Sequence, residues 1–197
     1  KLSPYTVAMI RHNHDLYTDD EREEQAGRLL SYYLGCILGR WDLNDFSPVS
    51  DGIVAFDDSA ENGVLDRIRE CIKTTFSINN ADSREAELNK MLGSEIKNWL
   101  RNTFFRYHHC QTYRRRGQRI PIYWQLESPN GGFSCFIYYH DIDANTLPKL
   151  RGQYLDPRID ELENELETLN AQTSGESPDK ELLNRKEEVQ NDLEDIR

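Results

Sequence analysis

The hydrophobic positions of this 197-residue chain follow three successive patterns: helical spacing up to Tyr107, alternation over 120–140, and helical spacing again beyond Asp156. A first helix is predicted to start at Thr18. There Thr18-Asp19-Asp20-Glu21 sets a hydroxyl N-cap three residues before a glutamate that can return the hydrogen bond. The helix runs through EREEQAGRLLSYYLGCILGR, polar at first and apolar nearly all round in its last two turns, as a helix is when its end is buried. Gly35 and Gly39 lie four apart on one helical face, a spacing that predicts close approach by another backbone. Pro48 and Gly52 in DLNDFSPVSDG break the helix, and GIVAF is the first strand candidate.

Val64, Ile68, Cys71, Ile72 and Thr75 form the next stripe at helical spacing. Asp82-Ser83-Arg84-Glu85 predicts a second capping box, and Ser94 a cap for EIKNWLRNTFFRY. In that last segment Ile96, Leu100 and Phe104 share a face flanked by Trp99 and Phe105. Arg101 and Arg106 are turned from its centre toward solvent or a partner.

Over 120–140 the period becomes two. Asn130-Gly131 favours a tight type I′ hairpin, and a longer loop over Pro129–Gly132 gives the same register: Leu126 opposite Cys135, Trp124 opposite Ile137, Ile122 opposite Tyr139. One face then carries Ile120, Ile122, Trp124, Leu126, Cys135, Ile137 and Tyr139. It is predicted to be buried against the helices, because a lone hairpin is marginal in water. The other face, with Tyr123, Gln125, Phe136, Tyr138 and His140, is mixed.

Past Pro157, Ile159, Leu162, Leu166 and Leu169 recur at alternating steps of three and four, as do Leu182, Val189, Leu193 and Ile196 with Lys186 in one seam position. TSGESP supplies a turn, with Ser177 as N-cap and Pro178 opening the second helix. The spacing favours an antiparallel helical hairpin. The expected fold class is α+β: a mostly helical domain with a β-hairpin over 1–155, followed by an acidic, coiled-coil-like antiparallel helical hairpin arm over 156–197. A hydrophobic fraction of 37% and a mean hydropathy of −0.79 are low for a compact domain and fit a core with a solvated extension.

Charge sharpens that division. The net charge is −11, but residues 156–197 hold 14 acidic and 5 basic side chains, leaving 21 acidic and 19 basic ones in the first 155. No acid occurs between Glu95 and Glu127, whereas Lys97, Arg101, Arg106, Arg114, Arg115, Arg116 and Arg119 all do. The body therefore has a local basic surface, and the acidity belongs to an arm that points elsewhere.

Catalytic chemistry is hard to find. No P-loop, H-E-x-x-H, G-x-S-x-G or G-x-G-x-x-G occurs. His12, His14, His108 and His109 lack a Cys or carboxylate at ligand spacing, so no metal or cofactor is expected in this chain. Cys36, Cys71, Cys110 and Cys135 are widely spaced and predict buried, reduced thiols. No apolar run approaches the length needed to cross a bilayer, so no membrane partner and a cytoplasmic location are expected.

The basic window is the informative feature. Arginine grips phosphate through a planar fork, and Tyr113, Tyr123 and Tyr138 are aromatics that can stack on bases or sugars. The competing reading is that these arginines pair with the acidic arm, and composition does not choose between them.

Several phrases together resemble one family. SYYLGCILGRWDL (31–43), Asp51-Gly52-Ile53 and the block RIPIYWQLESPNGGFSCFIYYHDIDANTLPKLRGQYLDPRI are similar to segments of the large adenine-specific DNA methyltransferases (PglX) of BREX phage-defence systems and of related fused restriction-modification enzymes. The match includes Pro121, Ile122, Tyr123, Trp124, Ser128, Phe133, Tyr138 or Tyr139, His140 and Tyr154, in order, within residues 20–169. The resemblance implies a C-terminal fragment of such an enzyme. The family's S-adenosylmethionine loop and its Asn-Pro-Pro-Tyr motif have no counterpart here, so S-adenosylmethionine is expected only in the parent enzyme. It implies duplex DNA as partner, and the acid-free basic window makes Arg101, Arg106, Tyr113, Arg114, Arg115, Arg116 and Arg119 the candidate contacts. The alternative is a protein-interaction module whose leucine seams pair with another defence subunit or a second copy.

Overall fold

The computed structural model describes residues 18–56, 63–109, 114–115, 118–119, 122–174 and 179–197. Helix α1 (Asp19–Ile37) is followed by strand β1 (Ile53–Ala55), α2 (Val64–Phe76), α3 (Asp82–Leu92) and α4 (Ile96–Trp99), which continues as π-helical Leu100–His109. Then come β2 (Arg114–Arg115), β3 (Gln118–Arg119), β4 (Tyr123–Glu127), β5 (Ser134–Tyr138) and a 3-10 turn, Tyr139–Asp141. Helix α5 (Thr146–Leu150) passes through π-helical Arg151–Leu155 into α6 (Asp156–Thr173), and α7 (Lys180–Ile196) closes the order. The fold is α+β and mostly helical, with a small antiparallel sheet.

Local signals succeed where nothing distant competes. Thr18 caps α1, and the Glu21 carboxylate accepts from the Thr18 backbone N–H at 2.9 Å. The second capping box does not form. Glu85 instead pairs with Arg69 of α2 at 2.7 Å, and the Asn80 side chain accepts from the Asp82 N–H. Ser94 is displaced by Asn89 of α3, whose side-chain oxygen accepts from the Ile96 N–H at 2.8 Å. In both cases a contact joining two elements wins over a local cap. Helix α7 is capped by Asp179, which accepts from the Glu181 N–H, while Ser177 and Pro178 lie outside the described residues.

The paired glycines also have separate explanations. Gly39 lies past the end of α1 at φ 73°, the left-handed conformation common just beyond a helix. Gly35 makes room for a side chain and not a backbone: a Cβ there would lie 2.5 Å from the Trp41 ring. That ring stacks on Tyr32 with centroids 5.6 Å apart.

Strand β5 is the centre of a three-stranded sheet of order β1-β5-β4. The hairpin register is the predicted one, with Trp124 opposite Ile137 and Leu126 opposite Cys135. The turn is the longer form: Gly131 is left-handed at φ 88° but Asn130 is not, which excludes type I′, and the Ser128 N–H donates to the Phe133 carbonyl at 2.9 Å.

The predicted buried face requires correction. Tyr123 and Phe136, assigned to the mixed face, are wholly buried in the main core with Leu29, Tyr33, Ile68, Trp99 and Phe104, whereas Trp124, Leu126 and Tyr139 are exposed. Their face is covered only in part: Ile53, Cys135 and Ile137 pack against Leu150, with Tyr154, Leu155 and Ile196 alongside. The cause is β1, whose pairing makes β5 a central strand buried on both faces, so alternation no longer identifies a single inner side.

Helices α6 and α7 bury Leu162, Leu169, Val189 and Leu193 against one another, and Glu165 pairs with Arg185 at 2.7 Å. The arm does not point wholly away from the hairpin. Ile196 packs against the sheet cluster, and Gly132, lacking a Cβ, accommodates the Asp192 carbonyl, which would lie 2.9 Å from one.

Candidate nucleic-acid interface

The basic window begins on α4 and its π-helical continuation, where Arg101 turns inward. Its Nε donates to Glu127 at 2.5 Å and its Nη2 to the Gly131 carbonyl at 2.7 Å, while the Gln125 side chain donates back to the Arg101 carbonyl at 2.9 Å. Its side chain is 25% exposed. These contacts brace the helix against the hairpin turn, and they engage neither the arm nor solvent. Arg106, further along, is exposed.

Arg114, Arg115 and Arg119 belong to the short ribbon β2–β3, in which Arg114 is directly opposite Arg119 and Arg115 opposite Gln118. Tyr113 and Arg116 lie outside the described residues. β3 ends at Arg119, close in the chain to the start of β4 at Tyr123, which joins the ribbon to the packed sheet.

The aromatic surroundings differ from those expected. Tyr123 is 0% exposed, held between Phe104 and Tyr138 at centroid distances of 6.5 and 6.0 Å, so it cannot stack on a base. Tyr138 is half-buried. Among the described residues, the tryptophan and tyrosine that face solvent are Trp124 at 50% and Tyr139 at 48%, both assigned to the core from alternation. The signal available for them was the strand candidate GIVAF: once it pairs with β5, β4 becomes an edge.

Four further residues of the resemblance, Asp51, Gly52, Ile53 and Tyr154, meet at the β1 edge of the sheet. The Tyr154 hydroxyl donates to Asp51 at 2.8 Å and lies 3.2 Å from the Ile53 carbonyl, and Asp51 accepts from the Ile53 N–H at 3.2 Å. Burial, then the hydrogen bond to Asp51 and its negative charge, raises the Tyr154 pKa. Gly52 is left-handed at φ 68°, and a Cβ on it would be 2.9 Å from the Asp141 side chain. This seam fastens the start of α6 to β1. Its groups are committed to packing and hydrogen bonding.

Nor do the other reactive groups form a centre. Cys36, Cys71 and Cys135 are buried free thiols, and burial pushes Cys135 up to about 12, far from the thiolate form, while Cys110 lies outside the described residues. His12 and His14 lie outside them too. Among the described residues no three Cys, His, Asp or Glu side chains gather as a metal site, and no helix is long and apolar enough to cross a membrane.

The fold is an α+β module with a braced three-stranded sheet and a separate two-stranded ribbon that contains Arg114, Arg115 and Arg119. No protein-family model matches the chain. Two curated relatives are similar to it. Over 166 aligned residues, covering 70% of the chain, it is 31% identical to the adenine-specific methyltransferase PglX of Lacticaseibacillus casei (strain Zhang). Over 198 aligned residues, covering 80% of it, it is 22% identical to the adenine-specific methyltransferase BrxX of Escherichia coli O9:H4 (strain HS). The chain spans 14% and 16% of the lengths of these two relatives. The similarity supports the resemblance for the region matched, and a methyltransferase-related origin for this segment.

Proposed function

We propose that this segment is a non-catalytic C-terminal module of an adenine-N6 DNA methyltransferase of a phage-defence or restriction-modification system, and that it helps to hold duplex DNA. The observation that carries the reading is the ribbon register, which sets Arg114 against Arg119 within a window free of acids. Phosphate between such cations removes their repulsion and releases counterions. Arg114, Arg115, Arg116 and Arg119 are the phosphate contacts. Methyl transfer from S-adenosylmethionine, and any extrusion of the target base, belongs to the remainder of the parent enzyme, in the cytoplasm. Residues 1–155 form the DNA-facing module and 156–197 its acidic arm.

Oligomerisation through the arm is the weaker reading, because the two leucine seams that motivate it bury each other. Replacing the four arginines with glutamate and titrating duplex DNA over a range of salt concentrations tests the clamp. The dependence of log affinity on log salt is expected to flatten by roughly 0.9 for each phosphate that is no longer neutralised. A slope equal to that of the unmodified protein would sink the proposal.

A further inference from the structure

The exposed aromatic pair formed by Trp124 of β4 and Tyr139, just past β5, has no role in the core or in the ribbon. Trp124 and Tyr139 are half-exposed, with rings stacked at 20° and centroids 6.4 Å apart, and the His140 ring meets Tyr139 edge-on at 5.5 Å. We propose that Trp124 and Tyr139 form a stacking platform for an unpaired nucleobase, beside the arginine ribbon. This rests on the reading of the module as a DNA-holding element and adds what the sheet contributes to it.

Position supports this first. The Tyr139 N–H donates to the Ile122 carbonyl at 2.9 Å, which sets Tyr139 at the end of β4 where the chain arrives from β3. Arg119 and Ile122 are three residues apart, at most about 11 Å of chain, so the end of the ribbon lies within that reach of Tyr139. Exposure supports it next. On the same sheet face Cys135 and Ile137 are covered by Leu150 and its neighbours, whereas the β4 column is left open and β4 is an edge strand. Every base has a π-face, so an exposed pair of rings on a protein that also grips phosphate binds single-stranded nucleic acid with little sequence preference.

The charges nearby select the occupant. The acid-free window runs from Ile96 through Leu126. The first acid after it, Glu127, is neutralised by Arg101, and the Asp141 side chain lies against Gly52 on the β1 side of the sheet. Leu126, 41% exposed, extends the apolar surface without adding charge. An anionic polymer with aromatic faces fits these surroundings better than an apolar protein surface does.

The test uses the whole chain and a short oligothymidine carrying one 2-aminopurine, read by its fluorescence, alongside the matching duplex. Binding is expected to quench the probe. Trp124→Ala and Tyr139→Ala are each expected to weaken single-strand binding by about tenfold and to abolish the quench, with an unchanged salt slope. Trp124→Phe keeps an aromatic face and should retain most of both. The arginine-to-glutamate variants should do the reverse, flattening the slope while preserving the quench at saturation. If Trp124→Ala and Tyr139→Ala bind and quench like the unmodified chain while the arginine variants lose affinity, the platform is wrong and the phosphate clamp stands. If neither nucleic acid binds, both fall. If light scattering shows a dimer that Trp124→Ala dissolves, the pair packs on a second copy and the platform is overturned.

Discussion

The Asp195 carboxylate clasps the hairpin turn at Gly132: one oxygen accepts from the Gly132 N–H at 2.9 Å and the other from the Asn130 N–H at 2.9 Å. The last turn of α7 thereby holds the β4–β5 loop from outside, while Arg101 holds the Gly131 carbonyl from the helical side. Burial tends to raise the Asp195 pKa, but hydrogen bonds from Ser128 and from the backbone of Gly132, Asn130 and Gly131 together outweigh it and hold the group below its ordinary value. A carboxylate with a lowered folded pKa contributes stability that is full above the ordinary value of 3.8 and is lost as pH falls through the folded one. Asp195→Asn should therefore lower Tm at neutral pH and flatten the fall of Tm below about pH 4. Melting curves across that range check it. An acid limb as steep as that of the unmodified chain would refute the clasp.

Arg101 is predicted to matter for stability rather than for phosphate. Arg101→Ala removes a partly exposed ion pair and a hydrogen bond to the Gly131 carbonyl, and should cost about 1 kcal/mol after solvent screening. Urea denaturation measures the effect, and the salt slope for DNA should stay unchanged. Arg106→Ala, at an exposed position, should alter the melting point little.

The legibility of this chain follows the distance over which each signal acts. Thr18 and Glu21 are three residues apart, and their cap forms as read. The hairpin register, fixed by turn length and alternation, is legible too. Glu85 and Ser94 mislead because their competitors, Arg69 and Asn89, come from neighbouring elements that local spacing does not reveal. The inversion of the sheet has the same origin on a larger scale. Alternation states that two faces differ, but which one meets the helices depends on β1, distant in sequence, pairing Ile53 with Ile137. The π-helical stretch Leu100–His109 leaves no local mark at all. Of the candidate interface, the arginine positions are legible and their opposition on a ribbon is not, since that register needs the strand pairing itself.

The corrected sheet face yields a direct contrast. Phe136 packs edge-on against Phe56 and Phe104, with centroids at 5.0 and 5.7 Å, in a site with no exposure. Phe136→Ala should cost about 3–5 kcal/mol, enough to unfold a marginal domain. Trp124→Ala, on the open face, should change stability by less than about 1 kcal/mol. Chemical denaturation of the two variants settles the orientation, because the inverted sheet would exchange their costs.

Gly35 tests the packing at the end of α1. A methyl group there lies 2.5 Å from the Trp41 ring, which is stacked on Tyr32 and so has little room to retreat. Tyr32 is further fixed by its hydroxyl, which donates to the Asp42 carbonyl at 2.9 Å. Alanine normally favours a helix over glycine by about 1 kcal/mol, so two effects oppose each other at this position. The clash should win, with Gly35→Ala destabilising the fold by about 1–3 kcal/mol. Trp41→Leu shortens the side chain, and in that background the sign should reverse as helix propensity takes over. A double-mutant cycle read by urea denaturation measures the coupling, and a Gly35→Ala cost that is the same in both backgrounds would exclude Trp41 as its cause.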